Sequence, residues 1–173
     1  MEVYYDENAI HDRVRLLGQQ ITADYGDFVR KGGRLVLVGV LNGAFVFMAD
    51  LIREIPLEIE TDFMIVTSYR EGTEAENIEI VKDITCNIKD CHVIVIEDIL
   101  DTGQTLSLIV KMLKNHGALS VKSCVLLNKK ARRVCKITAE YIGFEIGNKF
   151  VVGCGLDRAG KYRNLRYIAV KNE

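Results

Sequence analysis

The sequence predicts an α/β domain in which a mostly parallel central sheet is covered by helices on both faces. Two observations lead there. Short continuous apolar runs such as "RLVLVGVL" (34–41) and "HVIVIED" (92–98) read as strands buried on both sides. Between the runs lie stretches of about 10 to 15 residues with apolar positions at helical spacing, and that alternation builds parallel crossover units. Length sets the third bound: 173 residues make one domain spanning 1–173 with a real core, and no internal repeat, low-complexity tract or linker divides it.

Taken in order, Asp6 is placed to cap a first helix whose stripe is Ile10, Val14, Leu17, Ile21 and Phe28, ending near "KGG". "RLVLVGVL" is the first buried strand and "AFVFMADLIREI" (44–55) the helix after it. Pro56, the only proline, opens the approach to the strand "IETDFMIVTSY" (59–69). "REGTEAEN" (70–77) is polar and aperiodic, so it reads as a surface loop. "IEIVKD" (78–83) and "HVIVIED" are strands. "GQTLSLIVKMLKNHG" (103–117) is a helix with Leu106, Ile109, Val110 and Leu113 inward and Gly117 as its stop. "VKSCVLLN", "EYIGFEI" and "KFVVG" read as further strands.

Composition excludes several function classes. Lys and Arg number 23 against 24 Asp and Glu, so no overall field steers the chain to nucleic acid or an anionic membrane, and any anion must be held locally. The N-terminal "MEVYYDENAI" has neither a basic nor an apolar targeting region, and no apolar run reaches the roughly 18 residues of a membrane span; a cytoplasmic protein is expected. Five cysteines without a C-x-x-C pair argue against a disulfide framework and a zinc site.

In open α/β sheets, ligands sit beyond the carboxyl ends of the strands. Three polar segments fall at such ends: Leu41-Asn42-Gly43, Ser68-Tyr69, and Glu97 through Thr105. The last, within "VIVIEDILDTGQT" (93–105), gathers the carboxylates of Glu97, Asp98 and Asp101 just before a helix start. Thr102, Gly103, Gln104 and Thr105 lie where that helix exposes free amides and its positive dipole end, a natural seat for phosphate. The same residues also read as a plain helix cap after a solvated strand end. Neither G-x-G-x-x-G nor G-x-x-x-x-G-K-[ST] is present, which argues against a dinucleotide or Walker site.

"VIVIEDILDTGQT" resembles the phosphoribosyl-pyrophosphate motif of the type I phosphoribosyltransferases. "VGVLNGAFVFMADLIR", "SYREGT", "VLLNKKARR", "YIGFEI" and "KFVVGCGLDRAGKYRNLRYI" extend the likeness over about residues 35–170, in the order found in the hypoxanthine-guanine branch of that family. The resemblance implies that branch's fold, a mostly parallel sheet flanked by helices with a small hood from the N- and C-terminal segments. It implies an enzyme of purine salvage, transferring the 5-phosphoribosyl group of phosphoribosyl pyrophosphate to hypoxanthine or guanine with Mg²⁺, and working as a homodimer or homotetramer.

Residue by residue, the resemblance implies that Glu97 and Asp98 hold the ribose 2′ and 3′ hydroxyls, directly or through Mg²⁺. Asp101 is implied as the general base beside the purine N7, and Asp101, Thr102, Gly103, Gln104 and Thr105 as the 5′-phosphate loop. Lys129 is implied as donor to the 6-oxo oxygen, Phe150 as the aromatic stacked on the base, and Val151 as its backbone partner. Asp157 is implied beside a second metal and Arg163 at pyrophosphate. Leu41, Asn42 and Gly43 match the pyrophosphate loop, although several relatives carry lysine at the Asn42 position. Ser68 and Tyr69 open "SYREGTEAEN" (68–77), a lid that would keep water from the reacting carbon.

The chemistry suits these residue types on its own terms. Displacing pyrophosphate from ribose C1 develops positive charge on the sugar while a polyanion leaves, and Mg²⁺ prefers oxygen donors such as Glu97, Asp98 and Asp157. "KKARR" (129–133) reads as a solvated basic turn from which only Lys129 is singled out, so no nucleic-acid partner is expected. The competing readings are a phosphoribosyl-pyrophosphate-sensing regulator that binds nucleic acid, and an enzyme preferring adenine or xanthine.

Overall fold

The computed structural model describes residues 1–69 and 77–171. The first helix, α1, runs over Glu7–Arg30, and Asp6 caps it by accepting a hydrogen bond from the Ala9 amide at 2.8 Å. Its apolar stripe, Ile10, Val14, Leu17 and Ile21, is buried. β2 (Leu35–Leu41), α2 (Phe45–Arg53) and β3 (Glu60–Tyr69) follow, then β4 (Asn77–Lys82), β5 (His92–Leu100), α3 (Gln104–Asn115), β6 (Ser120–Lys129) and β7 (Tyr141–Ile146).

The main sheet has the order β4-β3-β2-β5-β6-β7. β3, β2, β5, β6 and β7 run parallel, and β4 closes one edge antiparallel to β3. Period-two alternation sorts the apolar residues onto two cores. Leu35, Leu37, Ile94 and Ile96 pack with Phe47 and Leu51 of α2 and the α1 stripe. Val36, Val38, Val40, Val93 and Val95 pack on the other face with Leu106, Ile109 and Leu113 of α3. The continuous apolar runs are thus explained by burial on both sides.

The strand order reverses at β2, whose neighbours are β3 on one side and β5 on the other. A crevice opens at such a reversal beyond the carboxyl ends of the strands. Leu41 ends β2 and Leu100 ends β5, so both polar segments meet there.

The terminal segments build a second sheet. β1 (Glu2–Tyr5), β9 (Ile168–Val170) and β8 (Val151–Val152) form a three-stranded antiparallel sheet in the order β1-β9-β8. "KFVVG" therefore does not extend the main sheet. Its strand is two residues long and stops at Gly153, whose φ of +102° turns the chain away. β1 and β9 pair across nearly the whole chain, a relation no local pattern records. Among the described residues, no helix is long and apolar enough to cross a membrane.

Candidate active site

β5 runs past Asp98 to Leu100, and its register pairs Glu97 with Val125 and Leu100 with Asn128 of β6. Glu97 and Asp98 are therefore fixed by the sheet ladder. The turn at Asp101 and Thr102 then leads to Gly103, which is the N-cap of α3 with φ +86° and no side-chain cap. Neither Asp101 nor Thr102 is that N-cap residue, although Thr102 Oγ1 accepts a long 3.4 Å bond from the Gln104 amide. The positive end of α3 opens into a cleft of about 250 Å³ lined by Glu97, Asp98, Asp101, Thr102, Gly103, Thr105 and Arg132.

Gly103 has a reason the sequence did not disclose. A β-carbon there would lie 2.7 Å from Ile137 Cγ2 and 3.0 Å from Arg133 Cδ. The segment behind the loop thus requires glycine, in addition to the positive φ.

The two strand acids are electrostatically unsettled. Burial pushes the Glu97 carboxyl up to about 8, the Asp98 charge adds to the rise, and Arg133 opposes it. Burial also pushes Asp98 up to about 6, against the Ile99 amide that donates to its Oδ1 at 2.9 Å. Arg163 lowers and Asp157 raises the same group. Buried carboxylates in this condition favour any ligand bringing hydroxyl donors or a cation. Among the described residues, no three His, Cys, Asp or Glu side chains converge on a metal position. Glu97, Asp98 and Asp157 are near enough for Asp157 to bear on Asp98, but they do not form a closed ligand set.

Opposite β5 stands the Leu41-Asn42-Gly43 turn, with a cis peptide at Leu41–Asn42. A β-carbon on Gly43 would overlap Asp98 Oδ2, and one on Gly155 would overlap the Gly43 carbonyl. Asp98, Gly43 and Gly155 are thus stacked with no room for side chains on the glycines. Asn42 is exposed. Arg163 Nη1 donates to the Gly155 carbonyl at 2.6 Å, and Nη2 pairs with Asp157 Oδ1 at 2.8 Å. Asp157 Oδ2 also accepts from the Gly160 amide at 2.6 Å.

Lys129 ends β6 and is buried at 7% exposure, with Nζ 3.9 Å from Asp101 Oδ2. Phe150 is 49% exposed, so it is not a core aromatic, and the Arg158 guanidinium lies 6.0 Å from its ring centre. Val151 is held in β8 by pairing with Val170. Ser68 and Tyr69 end β3 in backbone register with Ile78 and Asn77. Their side chains, and residues 70–76 of the lid expected over 68–77, lie outside the described residues.

Comparison with known proteins identifies the family. The family model for the phosphoribosyl transferase domain matches residues 2–159. The chain belongs to the phosphoribosyltransferase family. It is 43% identical over 169 residues to the hypoxanthine phosphoribosyltransferase of Haemophilus influenzae, covering 97% of this chain and 93% of that protein. It is also 43% identical to a bifunctional TilS/HprT protein of Listeria innocua, matching 98% of this chain but only 26% of that longer protein. A crystal structure of a Staphylococcus aureus hypoxanthine phosphoribosyltransferase superposes with a TM-score of 0.92 at 42% identity, covering 99% of this chain and 91% of that one.

Within this phosphoribosyltransferase, the basic run after Lys129 is more than a solvated turn. Arg133 donates to the carbonyls of Asp101 (2.9 Å), Ile137 (2.7 Å) and Leu100 (3.0 Å) and to Asn128 Oδ1 (2.7 Å). Asn128 in turn donates to Glu145 at 2.9 Å. This network braces the end of β5 from behind. Arg132 pairs with Asp101 at 3.2 Å. Sequence reasoning missed Asn128, Arg132, Arg133 and Glu145, and the only available signal was that "KKARR" adjoins Lys129.

Proposed function

We propose that this phosphoribosyltransferase transfers the 5-phosphoribosyl group from phosphoribosyl pyrophosphate to hypoxanthine or guanine, giving the nucleoside monophosphate and pyrophosphate for purine salvage. The carrying observation is that one cleft holds both a helix N-terminus without a side-chain cap and two carboxylates, the buried Glu97 and the half-buried Asp98, raised above their ordinary range. Amides suit a 5′-phosphate, and carboxylates suit ribose hydroxyls. The curated relatives named above carry the name of this activity.

On this reading the residues take the roles that the resemblance implies. Glu97 and Asp98 accept from the 2′ and 3′ hydroxyls, and the amides of Asp101, Thr102, Gly103, Gln104 and Thr105 hold the 5′-phosphate. The purine N9 forms its bond to C1 as the C1–oxygen bond to pyrophosphate breaks, and the proton of N7 passes to the Asp101 carboxylate. Lys129 donates to the 6-oxo oxygen, Phe150 stacks on the ring, and the Val151 backbone pairs with its edge. Arg163 and the turn at Leu41, Asn42 and Gly43 bind pyrophosphate, and Ser68 and Tyr69 lead into the lid.

The residues present fit Mg²⁺, a hard cation that takes oxygen donors and usually enters with substrate phosphates rather than into an all-protein cage. Glu97 and Asp98 would hold one ion and Asp157 would stand beside a second, and the metal would supply charge neutralisation to the departing pyrophosphate. The reading includes a single domain working as a homodimer or homotetramer, for which the exposed Leu16 on α1 and Phe45 on α2 offer apolar surface.

The test is nucleotide formation from hypoxanthine, guanine, xanthine and adenine with phosphoribosyl pyrophosphate and Mg²⁺. Turnover of hypoxanthine or guanine with adenine at background is expected. No turnover of either 6-oxopurine would overturn the reading.

A further inference from the structure

The phosphate loop has no cation of its own. Residues 101 to 105 read Asp-Thr-Gly-Gln-Thr, and of the residues lining the cleft three are carboxylates and one, Arg132, is basic. A phosphate entering that cleft meets the negative charge of Asp101, and among the described lining residues Arg132 is the basic side chain that opposes it.

Arg132 is engaged with Asp101. Its Nη1 pairs with Asp101 Oδ2 at 3.2 Å, its one side-chain hydrogen bond among the described residues. The other oxygen, Asp101 Oδ1, is buried and has no hydrogen-bond partner among the described residues. Lys129, at 3.9 Å, is too far to hydrogen-bond Oδ2. Oδ2 is therefore the oxygen through which Asp101 can meet a ligand, and Arg132 occupies it. The neighbouring Arg133 is fixed by four bonds, whereas the Arg132 side chain is 46% exposed and held by the one bond to Asp101. Its backbone stays beside the loop, because the Val134 and Cys135 amides donate to the Thr102 carbonyl at 2.9 and 3.3 Å.

We propose that Arg132 is a positioning residue that clamps Asp101 until phosphate fills the loop at the start of α3, then swings to the phosphate and frees Oδ2 for the N–H of the base. This rests on the functional reading above. The exchange is favourable in direction, since a half-exposed pair between single charges is weak and a phosphate dianion offers guanidinium two charge-assisted bonds. Because binding coupling is reciprocal, phosphate must then tighten the base, and the base must tighten phosphate.

Calorimetry on the full chain tests this, with hypoxanthine titrated in the absence and presence of saturating inorganic phosphate, which leaves the base position open. Wild-type protein is expected to bind hypoxanthine about 5-fold or more tightly with phosphate, within the usual range of such coupling. Arg132→Gln should bind hypoxanthine without phosphate as tightly as wild type does with it, bind phosphate more weakly, and keep less than about 2-fold coupling. Arg132→Lys should restore part of the coupling, which a merely structural role would not produce. Equal coupling in wild type and Arg132→Gln, or none in wild type despite binding of both ligands, overturns the clamp and leaves the functional reading standing. Wild-type protein that binds neither ligand overturns both.

Discussion

Gly43 and Asp98 are packed so closely that a β-carbon on the glycine would overlap the carboxylate oxygen of Asp98. The turn after β2 and the tip of β5 therefore support each other across the point where strand order reverses. Gly155, in the left-handed region at φ +94°, backs the same turn against the Gly43 carbonyl. Gly43→Ala is expected to push the Asp98 carboxylate out of place and lower kcat/KM by about 10²-fold, the cost of a misplacement near 1 Å. Steady-state kinetics together with the melting temperature check this. Wild-type kcat/KM in a folded variant would show that the contact is dispensable.

The raised acids predict a pH dependence of stability. The native state holds a proton on Glu97 up to about 8 and on Asp98 up to about 6, while the unfolded chain releases both in the ordinary carboxylate range. In that window the native state binds more protons than the unfolded one, so stability falls as pH rises and levels off above about 8. Ligand-free protein should therefore melt lower at pH 8 than at pH 5. Glu97→Gln should remove most of this slope and raise the melting temperature at pH 8 by at least about 4 °C, while abolishing nucleotide formation. Scanning calorimetry at both pH values decides it, and an unchanged slope in Glu97→Gln would assign the dependence to other groups.

Asp101→Asn tests the general base. Asp101 does not cap α3, since Gly103 holds that place, so the substitution removes a proton acceptor without removing a helix cap. kcat for hypoxanthine should fall by roughly 10²-fold or more, with binding of phosphoribosyl pyrophosphate little changed. An unchanged kcat would take Asp101 out of the mechanism.

The loop glycine shows where reading the sequence stopped short. In the sequence, Gly103 reads only as one residue of the loop that offers its amides to phosphate. In the structure, the β-carbon points at Ile137 and Arg133, behind the loop. Gly103→Val should thus destabilise the protein even without ligand, by at least about 1 to 2 kcal/mol for the left-handed conformation alone. A melting temperature equal to wild type would contradict this.

What was legible and what was not divides along the same line. β2, β5 and β6 were readable because strands buried on both faces leave continuous apolar runs, and α1 because Asp6 and apolar spacings alternating between four and three residues mark it locally. β8 was misplaced because two valines before a glycine carry no sign of their sheet. β1 and β9 meet only through pairing of the chain's two ends. Arg133 was hidden because a guanidinium that satisfies backbone carbonyls from behind looks, in sequence, like any solvated charge.

Lys129 should be what makes this enzyme refuse adenine. Its ammonium has three donors and no acceptor, is buried at the end of β6, and stands near Asp101 without a hydrogen bond to it. The 6-oxo group of hypoxanthine or guanine gives that ammonium an acceptor, whereas the 6-amino group of adenine faces it donor to donor and leaves a buried charge unsatisfied. A site built this way rejects the mismatched analogue by on the order of 10⁴-fold, and stacking on Phe150 adds no discrimination because every purine has the same face. Lys129→Gln should lower kcat/KM for hypoxanthine and guanine by at least about 10²-fold and narrow their advantage over adenine, because a glutamine amide presents either a donor or an acceptor. The measurement is kcat/KM for the three bases in both proteins. A hypoxanthine to adenine ratio unchanged in Lys129→Gln would mean that Lys129 does not read the 6-position, and that discrimination comes from the backbone of the hood around Val151.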